Sequence, residues 1–186
     1  LGQKQVITAM LPIERSEKMR FSKDTIDGIV NAVFQMGKVK TGALIVVERD
    51  IQLSEYESTG IRMDCLISSQ VIVNIFEHNT PLHDGAVIVR GDRIVAATCY
   101  LPLSDSTYVS KELGTRHRAA LGMSEVSDAM IIAVSEETGS VSVAREGRLR
   151  RKLTEKELRE CFDEIQCVVK QQPGLLDRLK GRRRHG

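Results

Sequence analysis

The chain has 186 residues, a one-domain length, with 41% hydrophobic and 28% charged residues, which excludes a mainly disordered or fibrous protein. Net charge is +2, but residues 177–186 carry five Lys/Arg against one Asp, leaving −2 on the rest; a broadly basic, nucleic-acid-type surface is excluded. Aromatic residues are only 4% with no tryptophan, so the core must be aliphatic.

Residues 1–20 are mixed, contain Pro12 and support no firm element. From Asp24, Ile26, Ile29, Val30, Val33 and Phe34 fall at helical spacing after an N-cap candidate at Ser22, and Gly37 and Gly42 end that helix. Ala43–Val47 is an unbroken apolar run, suited to a strand covered on both faces. The polar segment 50–63 gives no clear signal. Asp64–Ile67 reads as a second short strand, and Ser68 or Ser69 as the cap of a buried helix through Val71, Ile72, Ile75 and Phe76. Ala86–Arg90 and Arg93–Tyr100 flank Gly91-Asp92, a two-residue glycine turn of the hairpin kind. Residues 102–115 are a polar loop, and a helix runs from Thr115–Arg116 to about Met123. Ala129–Val134 and Ser140–Arg145 read as strands joined by Ser135–Gly139. Thr154-x-x-Glu157 is a capping box, followed by a stripe of Leu158, Phe162, Ile165 and Val169, and Gln171–Gly174 closes that helix. The order implies an α/β fold: one domain with a central mixed β-sheet flanked by helices.

Cys65, Cys99, Cys161 and Cys167 form no CxxC pair and read as buried free thiols of a reducing, intracellular compartment. No stretch approaches the roughly 18 apolar residues of a spanning helix. The chain starts at Leu1, and the expectation is the soluble piece of a longer protein.

Two clusters bear chemistry. In Leu82-His83-Asp84-Gly85-Ala86 a loop enters a strand, so Asp84 can present a carboxylate while Gly85 lets backbone approach a ligand; the same triplet also suits an ordinary turn. In Gly114-Thr115-Arg116-His117-Arg118 a helix begins beside two guanidiniums. Cations at the positive end of a helix are disfavoured without an anion, so this cluster reads as a polyphosphate cradle. Ser135-Glu136-Glu137-Thr138-Gly139 is a polar turn whose carboxylates can hold a metal if phosphates lie near. Walker-type and Gly-x-Ser-x-Gly motifs are absent.

These segments taken together carry a resemblance. LHDGAVIV at 82–89, GTRHRAALG at 114–122, LPLS at 101–104 and SEET at 135–138 resemble, in order and separation, the diadenylate cyclase domain family, over roughly residues 15–170. The membrane-anchored bacterial type is the most similar. The resemblance implies residues 1–14 as an N-terminal remnant or linker, 15–172 as the catalytic domain and 173–186 as a basic tail. It implies condensation of two ATP molecules into cyclic di-AMP with release of two pyrophosphates. Asp84 would orient or deprotonate a 3′-hydroxyl and help hold a divalent metal, magnesium or manganese, with cobalt also suited. Arg116 and Arg118 would bind phosphates, and His117 and Thr115 would complete the cradle. Gly85 and Ala86 would border the nucleotide, Tyr100 and Leu101 the adenine, and Ser135 and Glu136 the phosphates. His83 and Glu137 would add metal ligands. The implied partners are ATP, a second copy in a face-to-face homodimer, regulatory proteins, and a membrane reached through an absent N-terminal segment, with this domain on the cytoplasmic side; nucleic acid is not among them. An ATP-binding regulatory module without turnover is the alternative of a different class.

Overall fold

The computed structural model describes residues 19–106 and 113–166. Helix α1 (Lys23–Lys38) starts at Ser22, whose side chain accepts the Thr25 N–H. Strand β1 (Ala43–Val47) is buried along its whole length. Then follow α2 (Ser54–Glu57), β2 (Ile61–Leu66) and α3 (Ser69–Ile75), the last capped by Ser68 on the Val71 N–H. A hairpin of β3 (Ala86–Arg90) and β4 (Arg93–Cys99) leads to α4 (Thr115–Val126). Strands β5 (Met130–Val134), β6 (Val141–Arg145) and β7 (Arg148–Arg150) precede α5 (Glu155–Gln166).

The strands form one seven-stranded sheet in the order β2-β4-β3-β1-β5-β6-β7. Only β1 and β3 run parallel; the other pairs are antiparallel. Alternation divides each central strand between two cores. Ile45, Val47, Val87, Val89 and Ile132 pack with α1, α3 and α5 residues such as Ile29, Ile72 and Phe162. Leu44, Val46, Ile88 and Ile131 face the other way, onto Ala119, Ala120 and Met123 of α4. The small residues of α4 let that helix lie close to the sheet, and it is buried from Ala119 to Ser124.

The capping box forms as expected: Glu157 accepts the Thr154 N–H at 2.7 Å, and Thr154 Oγ1 accepts the Glu157 N–H at 3.3 Å. Packing nevertheless holds α5. Truncating a buried phenylalanine such as Phe162 costs about 3–5 kcal/mol, whereas exposed helix pairs such as Lys156–Glu160 are worth about 0.3–0.5 kcal/mol.

Several boundaries differ from the sequence expectations. Strand β2 begins at Ile61, three residues early, because Asp64 (φ +50°) sits in a register shift that breaks the alternation. Helix α4 continues to Val126. Helix α2, which buries no residue, and β7, whose burial is exposed-intermediate-exposed, have no apolar signature. Cys99 and Cys161 are buried and Cys65 is half-buried; all three are free thiols. Cys167, Val169, the Gln171–Gly174 ending and the basic tail lie outside the described residues.

Candidate active site

Because β1 and β3 are parallel while β4 and β5 oppose them, the starts of β1 and β3 meet the ends of β4 and β5 at one edge of the sheet. The register shows it: Ala43 faces Val134, and Ala86 faces Cys99. Residues just beyond those ends, Asp84, Tyr100 and Ser135, are thereby gathered around one cavity of about 600 Å³. That size is typical for a drug-sized or nucleotide ligand.

Local backbone geometry aims each wall. Gly85 has φ +84°, and a Cβ there would lie 2.8 Å from the Thr98 carbonyl carbon. Thr98 itself has φ +56°, inside an irregular β3–β4 register. This bulge turns Asp84 and Tyr100 away from the ladder and toward the cavity. Tyr100 is 74% exposed at the rim, and its N–H is held by Thr59 Oγ1 at 2.9 Å. Gly122 of α4 lies so close to the 102–104 segment that a Cβ would collide with the Pro102 carbonyl oxygen, which seats the segment following Leu101 on the helix.

The opposite wall is the start of α4. Gly114 is its N-cap and no side chain caps it; the His117 and Arg118 amides donate to the Gly114 carbonyl, and Gly114, Thr115, Arg116 and His117 line the cavity. Arg116 pairs with Glu136 of the β5–β6 turn at 2.5 Å. That turn is closed by Gly139 N–H donating to the Ser135 carbonyl and by Ser135 Oγ accepting the Glu137 and Thr138 N–H groups. Ser135, Glu136 and Glu137 all line the cavity, as does Arg151. Two arginines thus stand among the carboxylates of Asp84, Glu136 and Glu137.

His117 points into the fold: it is buried and its Nε2 lies 3.1 Å from Ser142 Oγ on β6. Burial, helped by the Arg151 charge and opposed by Glu137, holds its pKa below the usual histidine value, so the ring is neutral at pH 7. A histidine depressed in the folded state binds its proton better unfolded. Its stabilisation is complete above the ordinary value of about 6.5 and is lost as pH falls below it. The melting temperature is therefore expected to drop between pH 7.5 and 5.5, and to drop less in His117→Gln. An equal drop in both would assign the loss elsewhere. Carboxyls such as Glu157, held low mainly by the Thr154 N–H, act only at more acid pH.

Of the expected site residues, Asp84, Gly85, Tyr100, Leu101, Thr115, Arg116, His117, Ser135, Glu136 and Glu137 reach the cavity wall. Three do not. Ala86 is wholly buried in β3. Arg118, two helix positions past Arg116 and so about 200° further round, is exposed and approaches the Ser104 carbonyl at 3.4 Å. His83 has its Nδ1 2.6 Å from the Thr80 carbonyl and its ring edge-on to His78. Ser142, Arg151 and the close-packed Gly122 are additional structural participants. Their relation to the site is set by strand register and helix packing, and no local motif marks them.

Among the described residues no three His, Cys, Asp or Glu side chains group as a metal cage. Asp84 and the Glu136–Glu137 pair present hard carboxylate oxygens on a shared cavity. Such a donor set fits magnesium or manganese that takes its remaining ligands from phosphate and water.

Comparison with known proteins agrees with this geometry. Residues 30–149 match the family model described as DAC, the DisA bacterial checkpoint controller nucleotide-binding domain. The cyclic di-AMP synthase CdaA of Bacillus subtilis is 51% identical over 152 residues, covering 82% of this chain and 54% of the relative. A diadenylate cyclase of Listeria monocytogenes is 50% identical over 157 residues, covering 84% and 58%. The chain thus spans little more than half the length of these curated relatives. The crystal structure of a DacA double mutant from Staphylococcus aureus superposes with a TM-score of 0.75 at 50% identity, covering 76% of this chain and 94% of that one. A hypothetical membrane spanning protein from Bacillus cereus gives 0.68 at 45%, covering 70% and 64%. Sheet, cavity and sequence agree: the chain belongs to the diadenylate cyclase (DAC) domain family.

Proposed function

We propose that this domain condenses two ATP molecules into cyclic di-AMP, releasing two pyrophosphates. The observation that supports it best is a cavity bordered together by the Asp84 carboxylate, the N-terminus of α4, which no side chain caps, and the Arg116 guanidinium. In each half-reaction a 3′-oxygen forms a bond to the α-phosphorus of the other ATP, and the bond from that phosphorus to the pyrophosphate oxygen breaks. Asp84 accepts or orients the 3′-hydroxyl proton. Arg116, the α4 amides and Thr115 bind the phosphates, and the fixed positive groups stabilise charge that grows on the departing pyrophosphate. Arg118 keeps the phosphate-binding role that the resemblance implies, from outside the wall. Tyr100 and Leu101 border the base, with the aromatic ring offering a stacking face. Asp84 and Glu137 would hold a divalent cation, which would supply charge neutralisation at the phosphates; His83, the further donor that the resemblance implies, does not line the cavity.

One cavity accommodates one nucleotide at a time, yet both hydroxyl–phosphorus pairs must meet. Two copies facing one another with two-fold symmetry satisfy that requirement. Specific activity is then expected to rise with protein concentration below the dimer dissociation constant and to level off above it. Constant specific activity over that range, with the chain monomeric throughout, would contradict the composite site. Membrane attachment is also proposed; the likeness to the Bacillus cereus protein supports it, while among the described residues no helix is long and apolar enough to cross a membrane.

A further inference from the structure

We propose that Gly42 is a positioning residue for phosphate binding: the absence of a side chain there provides the seat on which the Arg116 guanidinium rests. This rests on the phosphate-binding role proposed for Arg116. Gly42 is buried and immediately precedes β1. Ala43 pairs with Val134, so Gly42 comes level with Ser135, where the acidic turn begins. A Cβ on Gly42 would lie 2.7 Å from Arg116 Nη1, 2.8 Å from Cζ and 3.1 Å from Nε. All three atoms belong to the guanidinium head.

Conformation does not explain the glycine. Gly85, Gly91, Gly139 and Gly147 have left-handed φ values, and Gly42 is not among them. What a side chain would displace is the head of Arg116. On the other side the same Nη1 donates to Glu136 Oε2 at 2.5 Å. The Arg116 head thus occupies the space that a side chain at position 42 would take and is paired to a carboxylate, with 23% of its side chain exposed. An incoming phosphate meets a guanidinium already ordered at the cavity wall, which lowers the ordering cost of binding. The three atoms nearest to a methyl group at position 42 all belong to the far end of one flexible side chain, so the charged head is what it displaces first.

The test is a double-mutant cycle with 3′-deoxy-ATP and magnesium, a probe that binds but lacks the attacking hydroxyl. Gly42→Ala is expected to weaken binding about tenfold, as for loss of one charge-assisted hydrogen bond, and to raise KM for ATP more than it lowers kcat. In an Arg116→Ala background the same change is expected to cost less than about twofold, since the group it displaces is gone. Gly28→Ala, in α1 and away from the cavity, is the control for a general glycine-to-alanine effect. Wild-type affinity in Gly42→Ala, or an equal loss with alanine at 116, overturns the proposal. A lowered melting temperature with unchanged affinity also overturns it, by assigning Gly42 to packing alone. If Gly42→Ala folds only in the Arg116→Ala background, the clash is with the Arg116 head, as the proposal requires; failure to fold in both backgrounds overturns the proposal by assigning Gly42 to packing. Unchanged binding in Arg116→Ala by itself refutes the phosphate role beneath the proposal; a loss there without a loss in Gly42→Ala refutes the seat alone.

Discussion

Replacing Asp84 with asparagine is expected to lower cyclic di-AMP formation by roughly 10²- to 10⁴-fold, the range for loss of a positioned proton acceptor, while 3′-deoxy-ATP binding changes only a few-fold. Asparagine keeps the shape and loses the charge. A carboxylate is acceptor-only, whereas the amide offers a single weaker acceptor and two donors. Asp84 is exposed on the loop ahead of β3, so the substitution strips no buried partner, and the flanking Gly85 turn can form unchanged. Product assays beside binding titrations separate the two quantities. Unchanged turnover would remove Asp84 from the reaction, and equal loss of binding and turnover would make it a nucleotide-binding group only.

Replacing Arg116 with alanine is expected to act on the other quantity. One charge-assisted hydrogen bond is worth about 1.5–3 kcal/mol, or roughly 10- to 150-fold in affinity. The electrostatic setting favours the upper part of that range. Glu136, paired to Arg116 at 2.5 Å, would be left facing the phosphates together with Glu137, and Arg151 would be the remaining arginine lining the cavity among the described residues. Affinity should fall steeply and become less sensitive to salt, as measured by titration at two ionic strengths. A loss below about twofold would show that the α4 amides bind the phosphates without this guanidinium.

What could be read from the sequence follows from how locally each feature is encoded. The β3–β4 hairpin, the buried β1 run and the α5 capping box each depend on neighbours within a few residues, and each forms where expected. Strand β7 was within reach, since it follows Glu146-Gly147, both with positive φ as a tight hairpin turn requires; its Arg-Leu-Arg composition hid it. Strand β2 was cut short because a bulge at Asp64 shifts the side-chain alternation.

For the site, the sequence showed residue types but could not show their directions. The triplets Asp84-Gly85-Ala86 and Arg116-His117-Arg118 name segments that border the cavity, yet strand alternation buries Ala86, and helix rotation sends Arg116 to the cavity, buries His117 at its wall and turns Arg118 outward. Partners set by sheet register left no trace: Ser142 meets His117 across 25 positions, and Gly42 meets Arg116 across 74. In the sequence Gly42 reads only as the end of a helix.

The most direct test of the central claim is to incubate the purified chain with ATP and magnesium or manganese and to resolve the products by mass and chromatography. The expected result is cyclic di-AMP and pyrophosphate in a ratio of one to two, because two phosphodiester bonds close for each product. ATP binding without any cyclic product, at protein concentrations high enough to drive pairing and with either metal, would contradict the account and identify a nucleotide-binding module in its place.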